Sequence, residues 1–179
     1  MTLLDFVQTI AGRRSLGPKL QTREAPSAET LERAALAARS APCHAEDFPC
    51  RLVSVASREK LANLFEAALP ADANDAQREK ARSKALKGAA CIAVIAPAPT
   101  GDAVVDMENL MTAGGALTNF LNVLWAEGVA AKTVSGRRLA DPQGLYNPET
   151  ERLLCFVLCG LSKEAMTPRK PAPSILTTW

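Results

Sequence analysis

The stretch 106–128, DMENLMTAGGALTNFLNVLWAEG, constrains the fold of this chain more than any other. Its apolar residues Leu110, Met111, Leu117, Phe120, Leu121, Val123, Leu124 and Trp125 point nearly all the way round a helix. A helix apolar on every side is either buried in a core or spans a membrane. Glu108, Asn109, Asn119, Asn122 and Glu127 break the run, so it lacks the ~18 uninterrupted apolar residues of a membrane span. A central core helix is therefore expected, with Asp106 as its cap and Gly128 as its end. Gly114 and Gly115 each cost about 1 kcal/mol of helix propensity against Ala. Their place in mid-helix implies that another backbone or a flat ligand comes very close, helix against helix being the favoured reading.

The 179 residues suit one domain with a sizeable core, spanning 1–179 with 168–179 as a C-terminal arm. Net charge is +2 and the Lys and Arg residues are scattered, which argues against nucleic acid as a partner. The opening MTLLDFVQTIAGRRS has no basic start and carries Asp5 inside its apolar part, so it is a poor signal peptide. The 5 cysteines are Cys43, Cys50, Cys91, Cys155 and Cys159, the last three in apolar strand-like runs. Reduced, buried thiols in a cytoplasmic protein are expected rather than a disulfide framework.

In chain order, 2–10 reads as a short helix with a wide apolar face, stopped at Gly12. Arg13-Arg14-Ser15 follows at once. Two guanidiniums and a hydroxyl on one bend make a candidate anion site, because the Arg fork matches phosphate oxygens; a merely solvated basic pair is the plainer alternative. Pro26-Ser27 opens a second helix that buries Leu31, Ala34, Ala35 and Ala38 and ends before Pro42. The loop 40–50 holds the only histidine, His44, between two core elements, where ligand contacts concentrate. Cys43, His44 and Cys50 could suggest zinc, but a fourth ligand at workable spacing is missing, so no metal is expected. Residues 51–55 read as a strand, 57–69 as an amphipathic helix, and 75–87 as a charged, solvated helix. The runs 89–96 and 153–159 are short and continuously apolar, as strands covered on both faces are. Residues 129–136 read as a strand ending in a turn, and 141–150 as loop with a helical turn. The tail 168–179 has no partner helix in sequence, and is expected to lie extended on something apolar, such as a second copy of the chain. One α+β domain results, its sheet assembled from distant segments around the central helix.

In this order and spacing the segments resemble the nitroreductase family of flavin enzymes, most closely its small, minimal members, through nearly the whole chain. Arg13-Arg14-Ser15 resembles the family's Arg-Arg-Ser opening. Ala41-Pro42-Cys43-His44 followed by Phe48-Pro49-Cys50-Arg51-Leu52 is similar to its Ala-Pro-Asp-His and Gln-Pro-Trp-Arg-Phe segment. Lys80-Ala81-Arg82 before the strand at 89 fits as well, and 108–128 matches the long central helix without a gap. Thr133-Val134-Ser135-Gly136 stands where the family has Trp-Arg-Ser-Gly or Trp-Arg-Thr-Gly.

The resemblance implies a central, mostly antiparallel sheet with helices on both faces around a long buried helix. It also implies a homodimer with FMN at the subunit interface. Hydride would pass from NADH or NADPH to the flavin, and then to a nitro compound, quinone or similar small-molecule acceptor. By position, Arg13, Arg14 and Ser15 would hold the phosphate and ribityl chain. Ser40 and His44 would reach FMN from the facing subunit, and Thr133, Val134 and Ser135 would border it. No protein nucleophile or catalytic side chain is required, because the cofactor carries the redox chemistry. Four positions depart from the family pattern: Cys50 and Thr133 replace Trp, and Val134 and Ser40 replace Arg. Each lost charge costs ~1–3 kcal/mol of phosphate binding, so a catalytically silent flavin-binding protein of the same fold is the alternative. A thiol or metal enzyme using Cys43, His44 and Cys50 is the third.

Overall fold

The computed structural model describes residues 2–44, 46–135, 139, 144–170 and 172–177. Its sheet has four antiparallel strands in the order β1-β2-β4-β3: β1 Arg51–Ser54, β2 Ala90–Pro97, β3 Val129–Ser135 and β4 Glu151–Leu161. Successive residues of a strand face opposite sides. Ile92, Val94 and Ala96 of β2 therefore enter one core, while Cys91, Ala93 and Ile95 enter another with Phe156 and Leu158 of β4. That double burial is why both runs are apolar without alternation.

Helices α1 Leu3–Gly12, α2 Ala28–Ala38 and α5 Ala103–Ala126 accompany the first core, and α3 Arg58–Ala67 with α4 Asp75–Ala85 covers the second. Thr2, Ser27, Ser57 and Asn74 cap α1 to α4 with their side chains. Helix α5 has 24 residues, about 36 Å of helix. It starts one turn before the sequence suggests. Asp102, not Asp106, accepts from the first free amides, those of Val104 and Val105. Asp106 instead accepts from the Thr100 amide at 2.7 Å and the Thr100 hydroxyl at 2.9 Å, which holds its carboxyl below the usual range. A carboxylate immediately before the helix start and another one turn later fit the same sequence pattern, so the sequence could not choose.

One of the two mid-helix glycines is explained: whereas a Cβ at Gly114 would meet nothing within 4 Å, one at Gly115 would lie 3.1 Å from the Ala41 Cβ. Thr112 donates to the Pro42 carbonyl at 2.8 Å just beside it. The loop after α2 is thus seated on α5, so the close approach at the glycine is by loop backbone and not by a second helix as expected. Burial of α5 is one-sided in its first half, however. Phe120, Leu121, Leu124 and Trp125 are buried, while Met107, Leu110 and Met111 are exposed.

Three further boundaries move. Strand β4 passes through Gly160 instead of stopping there, pairing with Ala130 of β3. Residues 144–150 form turns with no helix. The apolar face of α1 lies open: Leu3, Leu4, Phe6, Val7 and Ile10 are all exposed. Gly136, all of 140–143, and Pro171, Thr178 and Trp179 fall outside the described residues. No helix among the described residues is long and apolar enough to cross a membrane.

Candidate functional site

The Arg13–Ser15 corner forms where α1 ends against the edge strand β3. The Leu16 amide donates to the Ala131 carbonyl at 2.9 Å, adding this segment to the sheet edge. Buried Gln21 fastens it from below, its Nε2 donating to the Leu16 and Leu158 carbonyls, each at 3.1 Å. The corner itself stays accessible, with Arg13 half-buried and Arg14 and Ser15 exposed.

The chain's other end arrives at the same corner. A Cβ on Gly12 would come within 2.8 Å of the Pro168 Cβ, so glycine leaves the room in which the tail packs. The Arg169 amide donates to the Gly12 carbonyl at 2.8 Å, and Arg14 Nη1 donates to the Thr167 carbonyl at 3.4 Å. Arg169 and Lys170 thereby join Arg13 and Arg14. Arg13, Arg169 and Lys170 have no side-chain partner among the described residues. Four cations and the Ser15 hydroxyl at one accessible corner suit a dianionic phosphate, whose charge-assisted hydrogen bonds gain most from fixed donors.

Beside the corner opens a cavity of about 410 Å³ lined by Pro18, Phe65, Lys84, Lys87, Lys132, Val134, Ser135 and Leu158. Val134 and Ser135 were expected at such a site. Thr133 comes just before them in the strand and does not line the cavity; by the alternation of β3 it faces the α5 side of the sheet with Ala131. Apolar walls with a few polar groups are what a flat heteroaromatic ligand requires.

Ser40 and His44 lie elsewhere. Their loop feeds β1, the opposite edge of the sheet from β3, three strand spacings or about 14 Å across. His44 is exposed, on the loop that Thr112 and Gly115 seat against α5. The Ser40 hydroxyl donates to the Ala37 carbonyl at 2.8 Å and accepts from Asn119 Nδ2 at 3.1 Å, tying α2 to α5. A single chain therefore gathers Arg13, Arg14, Ser15, Val134 and Ser135 about the β3 edge and seats the loop of Ser40 and His44 against α5.

The sequence reading missed Lys84, Lys87, Lys132, Arg169 and Lys170. Lys132 had a visible signal, as the one charge inside the strand VAAKTVS. The tail pair had none, because its contact with Gly12 joins the two ends of the chain.

A family model described as the nitroreductase family matches residues 10–161. The chain belongs to the nitroreductase family. No curated protein sequence matches it significantly. Among solved structures, a nitroreductase-like family protein from Bacillus cereus shares 18% identity, with a TM-score of 0.80 over 97% of this chain and 93% of that one. A nitroreductase from Desulfovibrio desulfuricans, solved in complex with FMN, shares 17% over 97% of each chain at a TM-score of 0.69. The NADPH:FMN oxidoreductase from Vibrio harveyi, complexed with NAD+, shares 16% over 95% of this chain and 74% of that one, at 0.67. These likenesses establish the nitroreductase fold, with its antiparallel sheet between two helical layers.

Within that fold the thiols are poorly suited to chemistry of their own. Burial pushes Cys50, Cys91 and Cys155 up to about 11 and Cys159 to about 12, so they stay protonated near neutral pH. Among the described residues no three His, Cys, Asp or Glu side chains gather into a group that could hold a metal.

Proposed function

We propose that this nitroreductase-family chain is an FMN-dependent oxidoreductase, working as a homodimer and taking its reducing equivalents from NADH or NADPH. The observation that carries this is the meeting of both chain ends at one cationic corner beside an apolar-walled cavity. Arg13, Arg14, Ser15, Arg169 and Lys170 would hold the phosphate. Phe65, Val134 and Leu158 offer the ring system an apolar seat, and Ser135 a hydroxyl at its rim. FMN, once bound, supplies two-electron chemistry that no side chain offers. The protein's part is to bind, orient and tune it.

The same reading gives the other edge of the sheet a task. His44, on the loop seated against α5, would reach the corner of a second copy and donate an imidazole N–H to the phosphate or ribityl chain. Ser40, already bonded twice within its own chain, would border that site. Exposed Leu3, Leu4, Phe6 and Val7 on α1, with Met107 and Met111 on α5, supply apolar surface for such an association. The tail supplies more, with Ile175 99% and Leu176 86% exposed. A nitro compound, quinone or similar small molecule would be the electron acceptor.

The visible spectrum of the purified protein, followed by an FMN titration and assays of NADH and NADPH oxidation with quinones and nitroaromatics, tests this. Flavin bands, or uptake of added FMN, with acceptor-dependent oxidation are expected; protein that neither carries nor takes up flavin overturns it. Cys50, Thr133, Val134 and Ser40 remove two aromatic and two cationic groups from the family pattern, and they favour a second reading, a flavin-binding protein without turnover. Yellow protein that oxidises neither nucleotide with any acceptor would establish that reading instead.

A further inference from the structure

Among the described residues two polar side chains are buried, Thr112 and Gln21. Thr112 is satisfied by the Pro42 carbonyl. Gln21 is satisfied by halves: its Nε2 makes two bonds, while its Oε1 is buried with no hydrogen-bond partner. An unmet buried acceptor costs stability, and a leucine or methionine would fill the same space without it. What only the carboxamide supplies is the pair of N–H bonds, so the reason for Gln21 lies in what those bonds join.

They join the two halves of the site. One goes to the carbonyl of Leu16, directly after the Arg13–Ser15 corner; the other goes to the carbonyl of Leu158, a residue of β4 that lines the cavity. The backbone here is fixed independently of the side chain, since the Thr22 amide donates to the Leu161 carbonyl at 2.8 Å and Gln21 itself bridges to Ser162. Between Leu16 and Gln21 runs a single 3-10 turn, Pro18–Leu20, whose Pro18 forms part of the cavity wall. A third element closes on the same carboxamide. Gly88, in the turn between α4 and β2, has a φ of 76°, and a Cβ there would lie 3.1 Å from Gln21 Oε1 and 3.2 Å from Leu158 Cβ. The corner, the sheet under the cavity and the turn behind it thus all register on one side chain.

A ligand that occupies both halves at once gains from the second only as far as their spacing is held, because spacing sets the effective concentration of one half at the other. A ligand that occupies one half does not sense the spacing. We propose that Gln21 is a positioning residue that fixes the distance from the Arg13–Ser15 corner to the cavity, and so sets this chain's preference for a phosphate-bearing flavin over the same flavin without phosphate. The inference rests on the flavin reading given above and deepens it by naming the residue that couples its two subsites.

The test compares Gln21→Met and Gln21→Glu with the parent. Methionine fills a similar volume without a donor; glutamate keeps the shape, but an ionised carboxylate offers the two carbonyls only further acceptors. Affinities for FMN and for riboflavin are measured by fluorescence titration. Both variants are expected to weaken FMN about tenfold or more while changing riboflavin less than about threefold. As the pH falls from about 8 to about 6, a buried carboxyl takes up its proton and regains one donor. The FMN affinity of Gln21→Glu should then recover toward the parent's at the same pH, and that of Gln21→Met should not. Equal weakening of both flavins makes Gln21 a packing residue; that result, or an unchanged FMN affinity, overturns the proposal while the flavin reading stands. Where Gln21→Met does not fold, or riboflavin binds too weakly to measure, the recovery of Gln21→Glu decides, and its absence overturns the proposal. A parent that takes up no FMN overturns both.

Discussion

Helices α1 and α3 are each 10 residues long, each is capped by a hydroxyl side chain, and each carries apolar residues on one side. They meet opposite fates. Leu61, Ala62 and Leu64 of α3 are buried against Phe156 and Ile95, whereas Leu3, Leu4, Phe6, Val7 and Ile10 of α1 are exposed, Leu3 by 79%. The more apolar helix is the more exposed one. Apolar content measures how much surface a helix must hide, and the fold decides whether its own chain hides it. On the α3 side the protomer is complete, tied by Arg82 to Glu59, Glu66 and Asn63. On the α1 side it is unfinished, and the proposed homodimer is what would finish it.

Substitutions can break that contrast. The largest effect is expected in the completed layer. Leu61→Ala removes a buried side chain and should cost about 2–5 kcal/mol in urea unfolding. Phe6→Asp combined with Val7→Asp should leave the far-ultraviolet circular dichroism intact but halve the mass measured by light scattering, and lower flavin uptake with it. If the pair instead unfolds the chain, α1 is part of the protomer's own core and the contrast is lost. At the site, Arg13→Ala and Arg14→Ala should each weaken FMN binding about tenfold or more in a fluorescence titration. Neither should alter the urea midpoint of the flavin-free protein, since among the described residues the two guanidiniums make only one weak contact, from Arg14 to Thr167.

The smallest effect concerns acid. Arg33 and Thr30 donate to Glu127 and hold its carboxyl at about 2, far below its ordinary 4.5; Arg51 does the same for Glu151. A carboxylate lowered in the folded state stabilises above its ordinary value, and that contribution fades as the pH falls through the folded one. Stability should therefore decline between about pH 5 and pH 2, and Glu127→Gln should flatten part of that decline. Both pairs are substantially exposed, so salt should shrink the effect. Melting curves at pH 7 and pH 3, with and without 0.5 M salt on the order of a 4 Å Debye length, would show it.

Much of this was legible beforehand because local rules governed it. The apolar runs at β2 and β4, the cap at Ser27 and the glycine that lets Ala41 approach α5 all follow from residue type and spacing. What escaped was non-local or ambiguous. Asp102 and Asp106 differ by one turn, and either could cap the helix. Pro168 and Arg169 reach Gly12 across the length of the chain, with no periodicity to announce it. Lys132 lies within a run read only as a strand, and it lines the cavity. The Arg13–Ser15 corner and Val134 with Ser135 were identified from motif order, but no pattern could reveal that the loop of His44 is seated against α5, away from the β3 edge.

That separation points to the most direct experiment. A mixed dimer is prepared from one chain carrying Arg13→Ala and Arg14→Ala and another carrying His44→Ala, and its flavin binding is compared with that of each variant paired with itself. If each site takes its arginines from one chain and its histidine from the other, the mixed dimer has one site with every group restored, and it binds one FMN with the parent's affinity. If it shows no site stronger than those of the two parent variants, corner and imidazole do not serve the same cofactor, and the two-chain account is wrong.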